Sequence, residues 1–206
     1  TIDESPKELW RELSTLIKSL HSPYKELITS IYSLYKDKII RIPGSVNHHH
    51  QLMGGFLKHT LSTAKACTIL IENYPSLDSN LALAGILLHD IGKVESISDD
   101  LLPQYTDSGK LIGHVVAGRD ILTNAINVMQ NFPKEIQLKL EHIIISHQGT
   151  PIKGAVIKPL FPEALFVHYI DELDGHLDMM IQAISLDNNT TWTNSRNHFH
   201  AALYKK

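Results

Sequence analysis

The residues best suited to chemistry end an apolar run, Ala84-Gly85-Ile86-Leu87-Leu88-His89-Asp90-Ile91-Gly92-Lys93. An imidazole beside a carboxylate makes a good ligand pair for divalent first-row metals. The run predicts a buried helix, and Gly92 predicts its stop, since glycine takes the left-handed conformation at little cost. His89 and Asp90 then fall in the last turn, where backbone carbonyls favour a cation. A lone His-Asp dipeptide is more often a plain buried pair, so the reading rests on what else the chain brings to it. His59 and Asp171 lie in other apolar helical patterns, where an unpaired charge would be costly. A metal ion held by His59, His89, Asp90 and Asp171 removes that cost and leaves positions for water and substrate. His114 and His147 stand at predicted helix termini and could serve a second ion, with Asp90 bridging. Two ions about 3.5–4 Å apart suit phosphoester hydrolysis by metal-activated water. Asp90 and Asp171 are the catalytic candidates, holding metal and orienting water. Lys93 is a candidate for catalysis and for substrate phosphate; the plainer alternative is a lysine complementing the helix dipole.

These side chains need helices to carry them. Residues 1–22 are amphipathic, with Leu9, Leu13, Leu16, Ile17 and Leu20 on one stripe, and Ser5-Pro6 reads as a helix start. A second helix is predicted over 23–38, with Leu27, Ile28, Ile31, Leu34 and Tyr35 inward. Residues 41–51 read as a loop that delivers His48, His49 and His50 ahead of Gly54-Gly55. His49 and His50 are candidates for contact with phosphate or base. A helix over 55–74 carries His59 in its first turn; Pro75 ends it, and Ser79 or Asn80 caps the next. Residues 96–110 read as a loop in which Tyr105-Thr106 is extended at most. Helices follow over 113–129, 133–146 and 162–186, with a short capping helix or tail over 187–206. Asp171, Asp174 and Asp178 are three and four apart and share a face. His168 and Asp174 flank Asp171 and either orient ligands or serve plain surface or core roles. His142 and His147 are five apart and point in different directions on one helix. His147 is preferred as a ligand because it ends its helix, with His142 the alternative.

Strand signals are weak throughout, so the expected fold is an all-α helical bundle. At 206 residues, with 43% hydrophobic and 20% charged residues, the chain suits a single globular domain. Within it, 1–45 supplies N-terminal helices and linker, 46–186 the metal-binding core, and 187–206 a cap or tail. A net charge of −3 predicts no broad attraction to nucleic acid. The single Cys67 cannot form an internal disulfide, and neither a transmembrane-length run nor a signal peptide is visible. The expected location is therefore cytoplasmic, away from membranes.

The order His59, then His89-Asp90, then Asp171, resembles the signature of the HD-domain metal-dependent phosphohydrolases. The likeness narrows over four stretches. These are His49 to Leu61, Tyr105-Thr-Asp-Ser-Gly-Lys-Leu-Ile-Gly-His114, Ile145-Ser-His147, and Pro162-Glu-Ala-Leu-Phe-Val-His-Tyr-Ile-Asp171-Glu-Leu-Asp. Together they look like the HD part of the YhaM-type 3′→5′ exoribonucleases, a resemblance covering about residues 5–206. It implies an HD-domain bundle, a divalent metal (Mn, Co, Fe, Ni, Mg or Zn, one ion or two), and hydrolysis of single-stranded RNA from its 3′ end. The pairing of His114 and His147 at a second ion follows the six-ligand members of the superfamily. Gln148 departs from relatives that carry a second histidine there. The resemblance also implies an upstream OB-fold domain, a stacking and cationic platform for single strands. No stretch here resembles one, and residues 1–7 read as the linker after it, as in an excised domain or a natural short form. Oligomerisation is compatible with this reading. The alternatives are a phosphohydrolase of mononucleotides or cyclic nucleotides and a non-catalytic, metal-stabilised binding module. An open channel favours RNA, and a closed pocket favours mononucleotides.

Overall fold

The computed structural model describes residues 5–45 and 53–206, so His48, His49 and His50 lie outside the described residues. The described chain is helical: α1 (Pro6–Ser19), α2 (Tyr24–Arg41), α3 (Gly55–Leu70), α4 (Ser79–Leu88), α5 (Lys93–Ser96), α6 (Asp107–Leu111), α7 (His114–Asn127), α8 (Lys134–Ser146) and α9 (Pro162–Leu186). Two isolated antiparallel bridges, Ile97 with Tyr105 and Trp192 with Tyr204, are the extended pairings among the described residues. The all-α expectation holds.

At the centre lies α4. It is apolar all round, and its residues from Leu81 to Leu88 are all buried, as such a helix must be to escape water. It packs against α2, α3, α8 and α9. Gly85 makes the closest of these approaches possible: a Cβ there would stand 2.9 Å from Ile143 Cδ1 and 3.1 Å from Val167 Cγ2. Around this axis, α1 lays Leu9, Leu13 and Ile17 inward. Its start is a capping box. Ser5 accepts from the Glu8 N–H, and the Glu8 carboxylate accepts from the Ser5 N–H, which satisfies two otherwise orphaned donors. The Tyr32 hydroxyl on α2 donates to the Leu87 carbonyl at 2.5 Å, bonding α2 to the last turn of α4.

Several local expectations need correction. Leu34 points outward and is 76% exposed, because α2 runs on to Arg41 with its buried face set by Leu27, Ile28, Ile31 and Ile39. The third helix ends at Leu70, and a 3-10 turn, Ile71–Asn73, precedes Pro75. Asp78, not Ser79 or Asn80, caps α4; its carboxylate accepts from the Asn80 and Leu81 N–H groups. The segment 96–110 is not all loop, since Thr106 caps the short helix α6 by accepting from the Gly109 N–H. The chain beyond α9 forms no helix. Asp187 gathers it by accepting from the backbone N–H groups of Asn189 and Asn194.

Candidate metal centre

Five helices bring the candidate ligands together. Gly54 enters α3 with φ +78°, a left-handed geometry that glycine adopts freely, and its N–H donates to the Arg41 carbonyl. His59 follows in α3, fully buried. His89 and Asp90 lie in the turn between α4 and α5. Here the reason for Gly92 differs from the expected one: its φ is −63°, not left-handed. A Cβ at Gly92 would lie 1.9 Å from the His114 carbonyl oxygen and 2.4 Å from the Gly118 nitrogen. The glycine thus lets α7 press against this turn and sets His114, the first residue of α7, beside Asp90. His147 caps the end of α8, and α9 supplies Asp171.

The ligand atoms form two sets that share Asp90. In the first, His59 Nε2 stands 3.4 Å from His89 Nε2 and 3.2 Å from Asp171 Oδ1. His89 Nε2 stands 3.4 Å from both Asp171 Oδ1 and Asp90 Oδ2. In the second, Asp90 Oδ1 faces His114 Nε2 at 3.3 Å and His147 Nε2 at 3.5 Å. Each set has all its ligand atoms within 4.8 Å of one another. Atoms bound about 2.1 Å from one ion stand roughly 3.0–3.4 Å apart, so the spacing fits a shared cation. The proton inventory fits too. His89 Nδ1 donates to the Ile86 carbonyl and His147 Nδ1 to the Ile144 carbonyl, each at 2.7 Å. His59 Nδ1 meets Asp174 Oδ2 at 2.7 Å. With Nδ1 protons so committed, the Nε2 lone pairs face one another and two carboxylates, an arrangement a cation satisfies.

This is a His-Asp pair with its carboxylate oxygens divided between two clusters, and the HD domain family model matches residues 56–175. The chain belongs to the HD domain family. HD domains bind divalent metals. The chain is 33% identical to the 3′-5′ exoribonuclease YhaM of Shouchella clausii over 181 residues, 87% of this chain and 56% of that protein. It is 33% identical to YhaM of Bacillus licheniformis over 178 residues, 86% and 56% of the two chains. With YhaM of Bacillus subtilis the identity is 36% over 142 residues, 69% and 45% of the two. The chain thus spans about half the length of the curated relatives it matches. No solved structure matches it significantly.

The electrostatics of this HD centre follow from burial set against pairing. Burial opposes a charge on His89, yet Asp90 and Asp171 outweigh it and push its imidazole up to about 10. His59 is raised in the same way, against its burial, by Asp171 and Asp174. Burial works to neutralise Asp90 and Asp171, but Lys93 and His89 on the first, and His89 and His59 on the second, hold both carboxyls well below the usual range. His114 goes the other way. Burial, opposed by Asp90 and reinforced by Lys93, takes it down to about 4, so it is a neutral ligand at pH 7.

Other expected residues are placed as follows. Lys93 is buried; its ammonium sits 2.5 Å from Asp90 Oδ2 and donates to the Gly44 carbonyl at 2.7 Å, rather than pointing into open solvent. His142 is remote from the cluster and accepts from the Leu160 N–H at 3.0 Å. His168 Nδ1 donates to the His147 carbonyl at 2.7 Å, and its Nε2 faces Glu172. Gln148 bonds His114 Nε2 at 3.1 Å through its side-chain amide. Three participants escaped the sequence reading. The Ser62 hydroxyl donates to Asp174 Oδ1 at 2.5 Å, Glu172 pairs with Lys153 and His168, and Gly44 binds Lys93. Ser62 is three residues after His59 and Glu172 four after His168, so helical spacing could have found both. Gly44 is joined to Lys93 only by the tertiary fold.

Proposed function

We propose that this chain hydrolyses single-stranded RNA from the 3′ end, with two divalent ions sharing Asp90. The observation that carries the reading is the division of Asp90: Oδ2 faces His89, and Oδ1 faces His114 and His147. The names of the relatives supply the substrate class. His59, His89, Asp90 and Asp171 would hold one ion, and Asp90, His114 and His147 the other. When bound, such ions acidify water and neutralise charge on a phosphoester.

The chain's own groups keep this centre in shape. Asp174 and the Ile86 and Ile144 carbonyls fix the imidazoles in the tautomer that presents Nε2. Lys93 holds the Asp90 carboxylate and acts as a positioning residue, not as a contact to substrate phosphate. In each cycle a water oxygen joins phosphorus and the bond from phosphorus to the upstream 3′ oxygen breaks. That oxygen leaves with a proton, giving a nucleoside 5′-monophosphate and a strand one residue shorter.

The test incubates metal-stripped protein, reloaded with Mn, with 5′-labelled single-stranded RNA, and separately with mononucleotides and cyclic nucleotides. A ladder shortening from the 3′ end, absent with His89→Ala, is expected. Hydrolysis of the small nucleotides with intact RNA would replace this reading with the small-nucleotide one.

A further inference from the structure

From the metal centre a cavity of about 160 Å³ opens along α9, with His147 and Asp171 in its wall and Lys153, His168, Glu172 and His176 beyond them. Met179 lines it and also lines a second cavity of about 340 Å³, under the chain after α9. Met179 joins the two end to end along α9, and each is partly open to solvent, so together they offer a groove. Glu172, His176, Met179, Ala183 and Leu186 line one stretch or the other, and their steps of four, three, four and three put them on one helix face. From Asp171 to Leu186 the floor runs roughly 22 Å at 1.5 Å per residue.

The far wall is the C-terminal segment, through Thr193, Asn194, Arg196, Asn197 and His198. It is held in place. Asn194 donates to Asp187 through its backbone N–H and its side-chain amide. Asn197 donates to the Asn194 and Ala201 carbonyls, at 2.9 and 2.7 Å. Trp192 and Tyr204 pair across the segment.

The charge of the groove points to its occupant. Its acids are engaged: Asp171 by His59 and His89, Glu172 by Lys153 and His168, Asp187 by Lys205 and the asparagines. The Arg196 side chain is exposed and has no ion pair among the described residues. The charge left to offer is cationic, set among amides and hydroxyls. A mononucleotide calls for an enclosed pocket; an open groove of this length takes about six nucleotides stacked at 3.4 Å. We infer that this groove binds the RNA strand on the 5′ side of the scissile phosphate, with Arg196 and His198 contacting its backbone. The inference rests on the ribonuclease reading above.

The experiment measures kcat and KM of the full chain, loaded with Mn, on single-stranded RNA oligomers of about two to twelve residues. Wild-type kcat/KM should climb with length and level off near six. Arg196→Glu should raise KM on the longer oligomers about tenfold with kcat within twofold, a split that misfolding would not produce. Its defect should grow with length. Photocrosslinks from 4-thiouridine placed about four residues upstream of the 3′ end should map to the segment after α9. RNA degraded with no length dependence, or crosslinks confined elsewhere, would overturn the groove and leave the ribonuclease reading standing. Loss of all RNA hydrolysis in wild type, with mononucleotides still cleaved, would overturn both.

Discussion

At the residue scale the centre depends on which proton each side chain keeps. Asp174 takes the Nδ1 proton of His59 and the Ser62 hydroxyl. Replacing it by alanine leaves the fold but frees the ring, and outer partners of this kind are worth about 10–100-fold in metal affinity. Asp174→Ala should therefore weaken Mn binding by about that factor in a calorimetric titration, with the helical circular dichroism unchanged. Protons compete for the same ligands. The metal-free His89 imidazole is raised to about 10 by Asp90 and Asp171, against its burial. That value lies above the ordinary 6.5. The proton therefore stabilises the metal-free fold fully below about pH 6.5, and the contribution is lost as pH rises through about 10. A metal ion must displace this proton. Apparent Mn affinity should climb toward tenfold per pH unit between about pH 6.5 and 9; a flat profile would contradict it. The ligands themselves were legible because an HD pair, a preceding histidine and a later aspartate are separate sequence signals. The role of Lys93 was not, because its second partner, Gly44, is 49 residues away and met only through the fold.

At the element scale, helix ends and close approaches place the ligands. His114 opens α7 and His147 caps α8, as their positions in the amphipathic patterns suggested. This also separates His147 from His142, which faces Leu160 outside the cluster. The sequence predicts Gly92 for its backbone freedom, but its φ of −63° suits any residue. What it supplies is space: the nearest atoms belong to α7, and sequence periodicity carries no information about contacts between helices. Gly92→Ala therefore tests sterics without backbone strain. The added methyl must push α7 away, costing about 1–3 kcal/mol by overpacking. Thermal denaturation should show a lower midpoint, and the displaced His114 a weaker second metal equivalent. An unchanged midpoint would show that Gly92 is not needed for the close approach of α7.

For the whole molecule, the helical class and most element boundaries could be read from hydrophobic periodicity, because the long helices around α4 each bury one stripe in a shared core, with α2, α3, α8 and α9 packing on α4 directly. The chain after α9 could not, since its order comes from side chains such as Asp187 and Asn197 binding backbone groups, a pattern with no period. That segment walls the groove leading from the metal centre, so the least legible part of the sequence shapes the path to the most legible one. No described helix is long and apolar enough to cross a membrane.

The central claim, that a shared-Asp90 metal centre carries the hydrolysis of RNA, is tested most directly by titrating Mn into metal-stripped protein while following nucleotide release from RNA. No release is expected without metal, and a rise that saturates at two equivalents per chain with it. Full release from the stripped protein, or none at any metal load, would contradict it.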